Sequence, residues 1–326
     1  MKRFALGAAF VLAALALAAA AARDAWLPFA ALRWRGGADV EVVAAGDEPR
    51  RLLVYRFTVP PRPFTLLVQA GMARVRGVRQ AEEDYGPPLA LRFEPASSTL
   101  RLGVSRIVWR IAAASTGDDP KVAAYARDAT DAAGRRLVGR ELTVRIGPHG
   151  EIAIDAPPPA DPLEKRLLDE IERVFAIELA PPLPAVPVGP GAHWTAHRMR
   201  PLGVATEVDW AIDLTLADVE ADSVDLRVAT AFSADPQPAP PTPGLSANAV
   251  IDQVEGRLAG RIVRSTREAT PLRSDLELDA VLGLTDVGAV GGVAHEDERI
   301  QGSKFVIRSR EAMQADALGP IEWRRP

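Results

Sequence analysis

Apolar and polar residues alternate along most of this chain. The clearest run is Thr206 to Leu216, in which Val208, Trp210, Ile212, Leu214 and Leu216 interleave with Glu207, Asp209, Ala211, Asp213 and Thr215. A period of two places successive side chains on opposite faces of a strand, so one face is buried and the other wet. Val224, Leu226, Val228, Thr230 and Phe232 repeat the pattern, and Leu276 to Leu284 does so with Glu277 and Asp279 turned outward. Earlier in the chain, Leu53, Tyr55, Phe57 and Val59 alternate up to the Pro60-Pro61 stop, and Leu89, Leu91 and Phe93 form a short strand. Thr99 to Ile111 reads as one long strand whose apolar phase switches near Ser105-Arg106, as at a bulge. Leu142, Val144 and Ile146 lead through Gly147-Pro148-His149-Gly150 to Ile152 and Ile154, the pattern of a hairpin.

One segment switches to helical spacing. Leu163, Leu167, Leu168, Ile171, Val174 and Phe175 make an apolar stripe, and Lys165, Arg166, Asp169, Glu170, Glu172 and Arg173 fill the other face. Asp161 is a good N-cap, Pro162 suits the first helical position, and Glu164 stands where a capping box needs it. Proline-rich stretches flank this helix, APPPADP at 156–162 and APPLPAVPVGPG at 180–191; a third, DPQPAPPTPG at 235–244, reads as a long exposed loop between strands.

Strands wet on one side argue for antiparallel pairing rather than a doubly wound α/β fold. The expected fold is therefore mainly β (α+β). Its curved antiparallel sheets lie in two strand-rich halves, 23–155 and 192–326, separate or continuous. A Pro-flanked connector, 156–191, carries one central helix (about 161–176) packed on a sheet face.

The N-terminus changes the cellular setting. Lys2 and Arg3 precede an uncharged, alanine-rich run from Phe4 to Ala22, and Ala18-Ala19-Ala20 and Ala20-Ala21-Ala22 both fit a signal-peptidase site. Residues 1–22 read as an export signal, which places the mature chain in the periplasm or outside the cell, with no membrane span after cleavage. Retained, the same run would serve as a tether. The chain has no cysteine, which removes disulfides, thiol catalysis and lipid attachment to an N-terminal cysteine. A mature chain of about 300 residues buries a sizeable core without such staples. The formal net charge is −4, with a net basic stretch up to Ala160 and a net acidic remainder. The two can attract each other, and the basic half gains a mild preference for anions. An acidic exported chain is not a nucleic-acid binder.

Candidate chemistry is sparse. His193 and His197 stand four apart, but on a strand that separation is about 13 Å, too far to share a metal ion. His149 falls in the hairpin turn and His295 beside Glu296-Asp297-Glu298, and both are expected in solvent. No Gly-x-Ser-x-Gly elbow and no phosphate-binding Gly-x-x-x-x-Gly-Lys is present, and the glycine-rich stretch 283–292 precedes an acidic loop rather than a helix. Aromatic residues make up 6% of the chain, fewer than a sugar-stacking cleft would use. Neither a cofactor nor a metal is expected.

The order strand, glycine turn, strand and helix, followed by Leu183-Pro184-x-x-Pro187-Val188-Gly189-x-Gly191-x-x-Trp194, resembles a family of exported bacterial β-rich proteins known only as a domain of unknown function. Val254-Glu255-Gly256 to Ser265 fits the same layout, and the resemblance spans Leu89 to Leu284. It implies a cell-envelope location and a sheet-plus-helix fold, and no catalytic residues. In architecture alone the arrangement is similar to periplasmic lipoprotein carriers, in which a curved sheet holds a helix over an apolar cavity.

The functional expectation is non-enzymatic binding of a lipophilic ligand or a partner envelope protein. The residues that would line an apolar cavity are Leu167, Leu168, Ile171 and Phe175 of the helix and Val208, Trp210, Ile212 and Leu214 of the sheet. Two alternatives stand beside it: a structural or assembly protein of the envelope, and a hydrolase whose site is assembled from distant residues.

Overall fold

The computed structural model describes residues 39–76, 79–80, 87–101, 103–117, 124–160, 162–202, 205–239, 248–287 and 300–316. The expected export signal, His295 with its acidic neighbours, Trp26, Trp34 and Trp323 lie outside them. In chain order the elements are β1 (Asp39–Ala44), β2 (Phe64–Arg76), β3 (Arg79–Gln80), β4 (Leu89–Arg101), β5 (Val104–Thr116), α1 (Ala124–Leu137), β6 (Glu141–Ile146), β7 (Ile152–Asp155), α2 (Pro162–Val174), a π-helical turn (Phe175–Leu179), β8 (His193–Leu202), β9 (Ala205–Val219), β10 (Ser223–Ala234), β11 (Gln237–Pro238), β12 (Val250–Ser265), β13 (Pro271–Val287) and β14 (Ile300–Ala315). No helix among the described residues is long and apolar enough to cross a membrane.

The strands form one 14-stranded sheet in the order β1-β8-β9-β10-β12-β13-β14-β2-β4-β5-β6-β7, with β11 on β12 and β3 on β2. Every pairing is antiparallel. The fold is thus the mainly β, continuous-sheet form. The block β8–β14 is inserted between β1 and β2, so the two strand-rich stretches share one sheet.

The alternating segments are strands with the expected inward residues. Val208, Trp210, Ile212, Leu214 and Leu216 of β9, and Val224, Leu226, Val228 and Phe232 of β10, are all buried. The hairpin of β6 and β7 also forms. Two expectations need correction. Thr99 to Ile111 is not one strand: the chain reverses between Arg101 and Val104, so the switch of apolar phase is a hairpin turn at Gly103 (φ +79°) rather than a bulge. Leu53 to Phe57 keeps its alternating burial but belongs to an extended strap, held through isolated bridges from Arg51 to Val188 and from Val59 to Glu268.

The sheet is curled around α2 and the π-helical turn. Phe175 lies 5.1 Å from Phe93 of β4, centroid to centroid, while Arg173, two residues earlier, lies 5.9 Å above the Trp210 ring of β9. β4 and β9 are six places apart in strand order. In a flat sheet that separation is about 29 Å, against a helix about 10 Å across. Only a strongly bent sheet brings both to one helix. Its concave face carries Phe64, Phe93, Trp109, Trp194, Trp210 and Phe232, all buried.

The expectation of a single helix missed α1. Its stripe is built from small residues, and Gly134 packs so closely on the sheet that a Cβ would meet Leu89 Cδ1 at 3.0 Å and Ala114 Cβ at 3.1 Å. Helix α2 follows its capping logic, with the Ala160 N–H donating to Glu164 Oε2 at 2.9 Å. It then continues as the π-helical turn rather than stopping at 176.

The Leu183–Trp194 segment is a staple between strap, hairpin and sheet. Leu183 N–H donates to His149 O at 2.9 Å, Val188 N–H to Arg51 O at 2.9 Å, and Trp194 Nε1 to Pro182 O at 2.8 Å. Gly189 passes so close to the strap that a Cβ would sit 1.8 Å from Asp47 O. Gly139 (φ +87°) is open, with nothing within 4 Å of a Cβ. Alanine at 139 costs only its backbone conformation, about 1–2 kcal/mol, whereas alanine at 189 must displace backbone. Urea unfolding should therefore rank Gly189→Ala as clearly more destabilising than Gly139→Ala, and equal midpoints would contradict this packing of the staple on the strap.

Candidate functional site

The eight expected cavity residues meet on the concave face, but as core. Leu168, Ile171, Phe175, Val208, Trp210, Ile212 and Leu214 belong to one continuous buried cluster, with Leu167 packed at its margin. None of them is among the residues that line the 830, 460 and 140 Å³ clefts.

Beneath α2 this core contains a polar cluster that the sequence pattern did not reveal. Arg173, expected on the wet face, is buried. Its guanidinium donates to Glu170 Oε1 at 2.6 Å and to Oε2 at 3.1 Å, and reaches Glu311 of β14 in a short contact. Glu178 of the π-helical turn accepts a short hydrogen bond from Ser274 of β13, whose oxygen accepts from the Met313 N–H at 2.9 Å. Glu178 and Glu311 are fully buried. Burial and the neighbouring Glu311 push the Glu178 carboxyl well above its ordinary range, and burial also raises Glu311, partly offset by Arg173. Burial works against the Arg173 cation, but Glu170 and Glu311 outweigh it and raise its pKa. Both carboxyls are thereby biased toward their protonated forms, Glu178 the more strongly.

A sequence signal for this cluster exists. Glu311 shares strand parity with the buried Met313, and Glu178 falls one turn beyond Val174 on the apolar stripe. The cluster ties α2 to β9, β13 and β14. None of the three clefts at 197–281, 57–269 and 51–267 is lined by it, and its contacts fix the seating of the helix.

The outer face carries a broad cleft. It has a volume of about 830 Å³ and runs across β8, β9, β10, β12 and β13. The register places His197, Ala211, Ala231, Arg257 and Asp279 in one row, and Asp209, Ser233, Glu255 and Val281 in the next. The floor is small, Ala211, Ala231 and Ser233, and the walls are charged. His197 Nδ1 lies 3.5 Å from Asp209 Oδ1, and Arg257 Nη2 lies 3.5 Å from Asp279 Oδ2. Gly256 brings the backbone close to the Phe232 ring, where a Cβ would be 2.4 Å from Phe232 Cζ.

These groups do not assemble a nucleophile. Ser233 on β10 and His197 on β8 flank β9 and sit in successive rows, which puts them about 12 Å apart, with Asp209 between them. Among the described residues no three His, Asp or Glu side chains converge on a metal position. His193 and His197 each face their own aspartate, Asp213 at 3.7 Å and Asp209 at 3.5 Å. His149 is half-buried rather than in solvent, because Leu183 N–H and Glu151 fasten its turn. No protein-family model matches the chain, and no curated protein matches its sequence.

The buried proton sets a pH dependence. Above pH 4.5, the ordinary value, the unfolded chain has released the Glu178 proton while the folded chain keeps it. The folded state binds the extra proton in that window, so stability falls as pH rises through it. Each unit of separation between folded and unfolded pKa is worth about 1.4 kcal/mol. Glu178→Gln, neutral at every pH, should flatten the decline in denaturation midpoint between acidic and neutral pH. A variant that declines in parallel with the parent would remove Glu178 as its source.

Proposed function

We propose that this chain is an exported cell-envelope protein that binds a segment of a partner protein in the outer cleft and catalyses no reaction. The observation that carries this reading is where open volume lies. The concave face is filled by its own aromatic and aliphatic side chains, whereas the 830 Å³ cleft is open, an apolar floor edged by charged side chains.

The cleft suits an extended segment with small apolar groups toward the floor and charge toward the rim. Asp209, Glu255 and Asp279 stand against Arg257 and His197, which favours a segment bearing a basic side chain near the acidic wall. Charges at such a rim act on association rate and partner choice more than on bulk affinity. The small floor lets a bound backbone approach the sheet. Export is supported by Lys2, Arg3 and the alanine-rich run to Ala22.

A photo-crosslinking residue at Ala231, in protein expressed in cells, should yield one discrete adduct with an envelope protein. The same residue at Arg106, exposed on β5, should not. Asp279→Lys should reduce the Ala231 adduct several-fold. Identical adducts from both positions, or an adduct indifferent to the charge reversal, would sink the proposal.

A second reading, binding of a lipophilic molecule, is favoured by one observation: a proline-flanked helix seated over an apolar concave face, which would become a cavity if the helix lifted. Native mass spectrometry of protein purified from the envelope fraction decides it. A co-purifying lipid at high occupancy supports the lifting helix, and its absence leaves the partner-protein reading.

A further inference from the structure

A second cleft, of about 460 Å³, lies at the other end of the β9–β10 hairpin, lined by the strap residues Arg51, Leu53, Arg56 and Thr58 and by Asp222, Thr266 and Arg267 of two turns. Asp209 of the outer cleft and Val219 at this end are ten residues apart on β9, about 33 Å. The two clefts are therefore independent, and a role for the second stands apart from the partner-protein reading of the first.

Three guanidinium groups face this cleft with one carboxylate among its lining side chains. Asp222 is engaged by Arg267, Nη1 to Oδ2 at 3.3 Å. Arg51 donates through Nη2 to the carbonyl oxygen of Glu220, and its Nε is buried with no hydrogen-bond partner. Arg56 makes no ion pair among the described residues, yet its backbone is fixed, with the N–H donating to Thr266 O at 2.8 Å. Arg267 is braced by Thr58, Nε to Oγ1 at 3.3 Å. The backbone around each arginine is thus pinned, and the positive charge brought together is in excess of its local acid.

We infer that this cleft is an oxyanion site, in which Arg51, Arg56 and Arg267 receive a phosphate group. The planar guanidinium presents paired donors that match phosphate oxygens, and several converging on one anion give strength and orientation. The hydroxyls of Thr58 and Thr266 stand beside them. The volume exceeds that of a bare phosphate ion, so the group is accepted while esterified to something larger. Both free phosphate compounds and the phosphate headgroup of an anionic lipid satisfy that chemistry.

Calorimetry with inorganic phosphate and with glycerol phosphate, and sedimentation with phosphatidylcholine vesicles with and without phosphatidylglycerol, test the site on the mature chain. At least one phosphate-bearing probe should bind, more weakly as salt is raised. Arg56→Ala and Arg267→Ala should each lower affinity about tenfold, the loss of one charge-assisted contact. Arg106→Ala, an exposed arginine elsewhere, should leave it unchanged. Binding of the soluble phosphates identifies a free ligand; binding only to phosphatidylglycerol vesicles identifies a lipid surface. Failure of every probe, or binding equally strong in the Arg56 and Arg267 variants with their melting temperatures unchanged, overturns the inference.

Discussion

A sheet of fourteen strands presents an apolar face far larger than one helix can cover while the sheet stays flat. Leaving that face wet is prohibitive, at about 25 cal/mol for every Å² of apolar surface. The sheet resolves this by bending until β4 and β9 both touch α2 and its π-helical extension. The rest of the structure depends on that wrap: the aromatic interior, the strap that crosses its end, and the burial of Arg173 as the helix sinks in. The buried charges are then a consequence of the wrap. Ion pairs in such a place return little net stability against apolar side chains of equal volume. Their contribution is direction, since Arg173 meets Glu311 and Glu178 meets Ser274 in this seating of the helix.

Much of this was legible in the pattern of the chain. Wherever both inward and outward positions were strongly marked, as in β9, β10 and β13, parity alone gave the buried face. It failed where the physics lay in residues that are small or in contacts that are local. Helix α1 buries Ala133, Gly134 and one large residue, Leu137, too little to mark a hydrophobic period. The turn at Gly103 resembles a phase slip because a tight hairpin and a bulge change parity alike. The eight inward residues lie in or against one buried cluster, but periodicity says which way a side chain points and nothing about whether the space beyond it is full. The polar cluster was hidden for a related reason: Arg173, Glu178, Ser274 and Glu311 come from four separate elements, so no spacing connects them.

The open edges of the sheet show how such a structure avoids pairing with its neighbours. β7 has four residues, and β1 has six with a register shift between Val42 and Ala44. Asp39 and Glu41 place charge on the β1 edge. Short, charged or irregular edges are poor templates for a further strand. Pairing by strand addition is thereby disfavoured at these edges.

That condition, joined to the filled interior, directs attention to the outer face and the loop ends. A closed core offers a ligand nothing unless the helix leaves it, and leaving would strand Glu311 without Arg173 in an apolar environment, a costly state. The outer cleft requires no such movement, because its walls are side chains already in water. The cleft at the strap likewise requires none, since its arginines are held by backbone hydrogen bonds made in folding. Sites that exist before the ligand arrives lose the least free energy on binding. The wrap that fills the inside of this sheet is therefore also the reason that its outside is the surface left open to other molecules.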